Sequence, residues 1–360
     1  MRSYIFFKGK VISDFFKTPV SYIFLLTLAG LLSCKKNKNG KISPVTTSIY
    51  IAGTIGSSAP FLFKDDIPLP PITTRYGNAQ LSGLDIAANG DVYTCGTEEF
   101  FEPTIPANYI FAAFWKNGIR QPFSIEPGNS SGANDIKVIG TDVYLAGSND
   151  GKAVVWKNGI PTNLTSGARW AFSSSVFVNG NDIYTAINEL NLSNNFVPKI
   201  WKNGVQMSIL TDGTYSTQIT AIVINGVDVY GCGFERNSLS AIDRPVLWKN
   251  AVKSYLGTNA GTATSLFVSN NDVYVSGHEY ITGTPRHLAK YWKNGAPVVL
   301  GQGYSSSINS IYVKDEVIYC AGFEKTLAGS RSVPKYWKNG VATILSDGSQ
   351  NAVVKSIVVK

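Results

Sequence analysis

Few residues in this chain have the chemistry of a catalytic centre. The two histidines, His278 and His287, lack the spacing of metal ligands and are expected at the surface. No GxSxG, HExxH or CxxC motif and no phosphate-binding glycine loop is present. Two aspartates, Asp85 and Asp135, could bind a cation or perform acid–base catalysis. We therefore expect no cofactor and no metal site, and any catalysis would depend on carboxylates.

Aromatic residues in stretches of Ser, Thr, Gly and Asn suggest a binding surface instead. These candidate ligand contacts are Trp170, Arg169, Phe172, Tyr76, Tyr215 and Tyr304. Rings can stack on a sugar or a peptide while hydroxyls and amides form hydrogen bonds with it. Trp170 is the strongest candidate because it is the only tryptophan outside the repeated motif described next. The alternative is that these rings only cover the bases of loops.

The elements that position these residues are seven copies of one unit. Trp-Lys-Asn-Gly, or Trp-Lys-Asn-Ala once, recurs at spacings of 41 to 47 residues, beginning at Trp115, Trp156, Trp201, Trp248, Trp292 and Trp337. A second motif, of the form Asp-Val-Tyr-x-Ala-Gly, recurs around Tyr93, Tyr144, Tyr184, Tyr230, Tyr274 and Tyr319. A shorter copy surrounds Tyr50, and its unit has Phe63-Lys64-Asp65-Asp66 in place of the tetrad. Such self-similarity at a fixed period is typical of repeat architectures.

Each unit predicts four short strands, a to d, because apolar residues alternate with period two and residues that tolerate positive φ separate the runs. Four-stranded antiparallel units of about 45 residues that expose two apolar faces must stack on their neighbours, as the blades of a β-propeller do. The chain's repeats begin at strand b of the first unit and end with strand a, Ser356–Lys360. The expected fold is therefore an all-β, seven-bladed β-propeller whose ring is closed by the C-terminal strand completing the first blade.

The architecture resembles that of kelch-like and WD40-like propellers, although the Trp-Asp strand end and the Gly-Gly pair of those families are missing. The repeat is most similar to that of bacterial secreted propellers with YWKNG units. This resemblance implies a fold and no activity.

The repeated residues have structural interpretations. The tryptophans and tyrosines are expected to form the inter-blade core, the tetrad lysines to be solvated, and Cys95 and Cys232 to fill slots that Ala fills in other units. A carboxylate recurs five residues after the motif tyrosine, at Glu98, Glu189, Glu235, Glu279 and Glu324. It either closes each blade by a hydrogen bond or forms an acidic ring on one face. Asp85 and Asp135 are aligned with a slot that holds Ser or Ala in the other units.

The first 46 residues are expected to form a targeting segment rather than a folded domain. A basic segment is followed by the apolar run Val20–Leu32. The run ends in Leu31-Leu32-Ser33-Cys34, which resembles the lipobox of bacterial lipoproteins. The alternative is an uncleaved anchor helix. The resemblance implies a signal peptide over 1–33, a lipidated Cys34 that starts a flexible basic tether over 34–46, and a propeller over 47–360. Lys35 after the cysteine implies the outer membrane, and the basic tether favours its periplasmic side.

The net charge of +8 is concentrated in this leader, which leaves the remaining chain at +1. A near-neutral body excludes nucleic acid as a partner recognised by charge. The sequence therefore predicts a non-enzymatic cell-envelope lipoprotein, held by its N-terminal lipid, whose propeller binds or scaffolds glycan or protein ligands. The alternative is a carboxylate-dependent hydrolase or lyase of polysaccharide.

Overall fold

The computed structural model describes residues 34–36, 42–44 and 47–360, except 57, 76, 102–107, 124–129, 238–241, 282–283, 285 and 328–329. The predicted signal peptide and the Tyr76 site prediction lie outside these residues. The chain divides into two compact units, Met1–Thr46 and Thr47–Lys360. In the first, Cys34–Lys36 pairs antiparallel with Ile42–Pro44. In the described ranges, no helix is long and apolar enough to span a membrane.

The second unit consists of seven four-stranded antiparallel sheets, which confirms the predicted fold. The strands of each blade are given in the order a to d, from the channel outward. Blade 1 contains Ala352–Val359, Ile49–Ile55, Ala59–Lys64 and Ile67–Pro68. Blade 2 contains Asn78–Ile86, Val92–Phe101, Asn108–Lys116 and Ile119–Arg120. Blade 3 contains Ser131–Ile139, Asp142–Asn149, Lys152–Lys157 and Ile160–Asn163.

The remaining blades repeat this order. Blade 4 contains Ala171–Asn179, Asp182–Leu190, Phe196–Lys202 and Val205–Ile209. Blade 5 contains Ser216–Asn225, Asp228–Asn237, Ile242–Lys249 and Val252–Tyr255. Blade 6 contains Gly261–Ser269, Asp272–Tyr280, His287–Lys293 and Ala296–Val299. Blade 7 contains Ser305–Lys314, Val317–Lys325, Val333–Lys338 and Val341–Ile344.

Ring closure follows the predicted route. The C-terminal strand pairs antiparallel with Ile49–Ile55 and becomes strand a of blade 1. Ile357 and Val359 on this strand are almost completely buried. Pairing the two chain ends removes an exposed sheet edge from the centre of the ring.

The core consists of the repeated aromatic residues, as expected. Trp115, Trp156, Trp248 and Trp292 are completely buried, and the motif tyrosines are at most 8% exposed. The small residues two positions after each tyrosine are also completely buried, and Cys95 and Cys232 occupy two of these slots. The three cysteines of the propeller are free thiols in separate clusters.

The two sequence motifs interlock at the c–d turn of each blade. In blade 3, the Asn158 side chain accepts a hydrogen bond from Val143 N at 2.8 Å and donates one to Asp142 at 2.9 Å. Asp142 also pairs with Lys157 at 2.8 Å, and this ammonium lies 5.3 Å from the Tyr144 ring centroid. The same contacts recur in blades 2, 4, 5 and 6. The tetrad lysine is exposed to solvent, as expected, and it also forms an ion pair within its blade.

Candidate functional site

We call the face that carries the b–c and d–a connections the upper face. Its most distinctive feature is a pocket of about 450 Å³ above blade 3. Its lining consists of Thr97, Ile110, Ser130, Ser131, Gly132, Ser148, Asp150, Gly151 and Trp170. The b–c connection of blade 3 is only Asp150-Gly151, whereas that of blade 4 has the five residues 191–195. The pocket therefore forms where one repeat differs from the others.

Trp170 forms one wall of this pocket and is 51% exposed. Its carbonyl accepts a hydrogen bond from Leu190 N at 3.0 Å, which fixes the backbone before strand a of blade 4. Its ring packs on Phe172 and Phe196, with centroids 5.4 and 5.6 Å away. These two rings also contact each other in an edge-to-face arrangement. Phe172 and Phe196 therefore support the Trp170 ring from one side and leave about half of it accessible.

Glycine is required at position 151 for this arrangement. Gly151 has a φ of 70°, and a Cβ atom there would lie 2.9 Å from Cδ1 of Trp170. A larger residue would therefore strain the backbone and push the indole away.

The other walls supply polar groups. Ser130, Ser148 and Thr97 contribute hydroxyl groups, although Ser131 Oγ already accepts a hydrogen bond from Ala112 N. Asp150 is exposed, and no ion pair joins its carboxylate to any residue in the described ranges. The pocket thus combines one accessible aromatic ring, hydroxyls and an unpaired carboxylate.

Tyr215 and Tyr304, the other predicted tyrosines that the structure describes, do not line this pocket. Tyr215 is half-buried before blade 5, and Tyr304 lies before blade 7 under the Arg286 guanidinium at 5.5 Å. Arg169 is half-buried next to Trp170, but it is not among the residues that line the pocket. Of the predicted upper-face residues that the structure describes, only Trp170 lines the pocket, and Phe172 supports it from behind.

Asp85 and Asp135 both line the central channel, but the predicted alignment of Asp85 was wrong. Asp135 lies opposite Ala146, whereas Asp85 lies opposite Tyr93, and Gly83 occupies the equivalent slot. The cause is the a–b connection of blade 2, which has the five residues 87–91 where the others have two. The longer connection shifts strand a by one residue against strand b relative to the other blades, and the slot falls at Gly83, two residues before the predicted position.

Both aspartates form hydrogen bonds within the inner strands. Asp85 accepts a hydrogen bond from Val138 N at 2.8 Å and pairs with Lys137 at 3.1 Å. Asp135 accepts hydrogen bonds from Ser175 Oγ at 2.8 Å and Val176 N at 3.0 Å. Burial raises the pKa of Asp135 above its usual range. Both side chains join neighbouring inner strands.

The recurring glutamates close their own blades. Glu98 pairs with Arg120 at 2.6 Å, Glu235 with Lys253 at 2.5 Å, and Glu324 with Lys335 at 3.4 Å. Glu189 and Glu279 form equivalent ion pairs with Lys199 and Lys290. Of the two interpretations left open by the sequence, the structure therefore favours the blade-closing contact over an acidic ring.

The two histidines form a contact that the sequence did not predict. Their ring centroids are 4.6 Å apart, and Nδ1 of His278 lies 3.1 Å from Ser307 Oγ. Burial lowers the pKa of His278 to about 4 and also lowers that of His287. Neither is the simple surface residue that was expected. In the described part of the chain, no group of three or more His, Cys, Asp or Glu side chains could hold a metal ion.

No protein-family model and no curated protein sequence matches the chain. Similar solved structures include the WD40 β-propeller domain of Doa1, at 17% identity over 75% of this chain and 85% of that one, with a TM-score of 0.45. The β-propeller domain of the Trilobed protease from Pyrococcus furiosus matches at 12% identity over 84% and 95%, with a TM-score of 0.46. A protein of unknown function from Dyadobacter fermentans matches at 11% identity over 85% of both chains, with a TM-score of 0.45. Each of these likenesses concerns the fold alone.

Proposed function

We propose that this protein is a lipid-anchored binding module of the cell envelope, and that the pocket beside Trp170 takes up a glycan. The observation that carries this proposal is the half-exposed indole, held on Phe172 and Phe196 at the wall of a polar pocket. A repeat scaffold places ligand contacts where its copies differ, and this tryptophan has no counterpart in the other blades.

A glycan fits the pocket chemistry better than a peptide side chain does. The apolar face of a sugar ring can stack on Trp170, while its hydroxyls can donate to the Asp150 carboxylate and exchange hydrogen bonds with Ser148 and Thr97. A volume of about 450 Å³ is within the usual range for small-ligand pockets. A protein ligand is the alternative outcome of the test.

The polysaccharide hydrolase or lyase receives less support. Its two carboxylates would have to be Asp85 and Asp135, and the oxygens of both already accept hydrogen bonds from neighbouring inner strands. A binding role requires no such pair.

A glycan array probed with the full-length protein, followed by calorimetry on the bound glycans, tests the proposal. We expect Trp170→Ala to weaken binding about tenfold or more, a loss of roughly 1.4 kcal/mol. The same change should lower the free energy of unfolding by only about 1 kcal/mol, because aromatic contacts on one side are all that is lost. Trp292→Ala, in the core, should lower it by about 3–5 kcal/mol.

Tyr304→Ala is the matched control, since it removes an upper-face ring remote from the pocket. Equal weakening of binding by Tyr304→Ala would contradict a site at Trp170. So would an array that captures no glycan while an envelope-protein screen does.

A pair of glycine substitutions tests the pocket without removing the indole. Gly151→Ala and Gly226→Ala both place a side chain at positive φ, 70° and 60°, but only the first would contact Trp170. We expect both variants to lose similar stability and only Gly151→Ala to lose glycan affinity. Unchanged affinity in Gly151→Ala would contradict the geometry proposed here.

The membrane anchor is proposed from the lipobox and has its own test. Cells labelled with a clickable palmitate analogue should label the wild-type protein, and Cys34→Ala should abolish both label and N-terminal membrane association. We propose the periplasmic side of the outer membrane as its location, which protease treatment of intact cells would test. Label that persists on Cys34→Ala would contradict the lipid anchor.

A further inference from the structure

The central channel contains a second feature that the upper-face pocket does not explain. Strand a of every blade has one bulged residue, where the register with strand b shifts by one. These residues are Ser82, Asn134, Ser174, Thr220, Thr264, Asn309 and Lys355. All seven line a cavity of about 400 Å³ on the channel axis, and we call them the bulge ring.

Five members of the bulge ring donate a hydrogen bond to the next blade. Each bond ends on the carbonyl that immediately precedes the neighbour's own bulge. Ser174 Oγ donates to Ile219 O at 2.7 Å, and Thr220 Oγ1 donates to Ala263 O at 3.0 Å. Asn134, Thr264 and Asn309 make the equivalent bonds at 2.9, 2.6 and 2.6 Å. The hydroxyl hydrogens of Ser174, Thr220 and Thr264 are therefore used within the ring, and the two asparagines each use one of their two amide hydrogens, while the side-chain oxygens remain acceptors.

Lys355 is the one charged member, and it stands in blade 1. Its side chain is accessible from the channel, and the surrounding blades lower the pKa of its ammonium by burial. The channel's two carboxylates are already engaged, Asp85 by Lys137 and Asp135 by Ser175. Among the described residues, no carboxylate forms an ion pair with Lys355, unlike the twelve basic side chains that have such a partner.

The Lys355 ammonium and the oxygen acceptors of the bulge ring indicate the chemistry of a ligand that would complement the cavity. Lys355 is exposed to the channel and has no anionic partner among the described residues, so an anion there would gain a charge-assisted hydrogen bond. The oxygens of Ser174, Thr220 and Thr264 can accept from hydroxyl groups but have no free hydrogen to donate. We propose that the bulge ring binds a small hydroxylated carboxylate, such as a sugar acid, with its carboxylate on Lys355 and its hydroxyls on the neutral members. This site does not depend on the pocket at Trp170.

D-glucuronate, D-glucose and acetate separate the two parts of this proposal. Calorimetry on the full-length protein should detect saturable binding of glucuronate, weaker binding of glucose, which lacks the carboxylate, and weaker binding of acetate, which lacks the hydroxyls. Acetate binding as tight as that of glucuronate would overturn the role of the acceptor ring. Glucose binding as tight as that of glucuronate would overturn the role of Lys355.

The informative substitution is Lys355→Asn, because Asn309 shows that asparagine fits this position in another blade. The variant should fold, since it restores the pattern of the ring, and should bind glucuronate about tenfold more weakly or worse. Lys314→Asn, on strand a of blade 7 but outside the channel lining, is the matched control and should bind like the wild type. Undiminished glucuronate binding in Lys355→Asn, or no saturable binding by the wild type, would overturn the proposal. Lys355→Asn should leave the binding of array-selected glycans at the Trp170 pocket unchanged, so failure of one site is distinguishable from failure of the other.

Discussion

Removing the last five residues, 356–360, tests ring closure most severely. The deletion takes away Ile357, Val358 and Val359, which are 2%, 7% and 1% exposed. Full burial of one aliphatic side chain stabilises a protein by about 1.5–3 kcal/mol, so the three together contribute roughly 5–9 kcal/mol. The backbone bonds to Ile49–Ala52 and to Ser48 are lost as well.

This loss is comparable to the whole stability of an ordinary domain, about 5–15 kcal/mol. We therefore expect the truncated protein either to fail to fold or to melt more than about 10 °C below the full chain, since 1 kcal/mol shifts the Tm of a large domain by about 2–4 °C. Circular dichroism and calorimetry on both proteins measure this difference. Val341→Ser, on the exposed outer strand of blade 7, is the control and should change the Tm by no more than about 1 °C. A truncated protein that melts within a degree or two of the full chain would refute the closure argument.

Two further predictions concern groups buried between strands. Asp135→Ala should lower the free energy of unfolding in urea by about 1–3 kcal/mol, because Ser175 Oγ and Val176 N lose their acceptor. Asp135→Ser should cost less, since serine occupies the equivalent slot in other blades, and equal losses would contradict this explanation. Burial lowers the pKa of His278 from 6.5 to about 4. Between these two pH values the histidine is protonated in the unfolded chain but neutral in the folded protein. The free energy of unfolding should therefore fall as the pH drops from about 6.5 to 4. The free energy of unfolding should fall by up to about 3 kcal/mol over this range, and this loss should be largely absent in His278→Asn. An equally steep pH dependence in that variant would contradict the assignment of the effect to His278.

The sequence predicts the propeller well because the same residues perform the same task in every blade. The Asp, Tyr, Lys and Asn that recur in the two motifs are the residues that interlock at each c–d turn, so their spacing reports the blade period directly. Blade 1 was recognisable in spite of its altered tetrad. Asp65 takes over the role of the turn asparagine by accepting from Ile49 N at 2.8 Å.

Features that depend on one blade's connections were harder to predict. The misalignment of Asp85 arose because the a–b connection of blade 2 is longer than the others, and the sequence pattern cannot show how a longer turn shifts the register. The contact between His278 and His287 joins neighbouring strands across a b–c connection of variable length. Trp170 stood out as a unique residue, but its pocket depends on the two-residue turn of blade 3 and on Gly151. The bulges, which create the ring containing Lys355, have no sequence signature beyond a small or polar residue in most blades.

Fluorine NMR on protein labelled with 5-fluorotryptophan tests the proposed glycan site most directly. The chain contains seven tryptophans, and Trp170→Phe assigns the resonance of the one that is half-exposed. Titration with a glycan selected on the array should shift the Trp170 resonance in a saturable manner and leave the buried Trp115, Trp156 and Trp292 unchanged. Saturable glycan binding that leaves the Trp170 resonance in place would contradict the assignment of this pocket as the binding site.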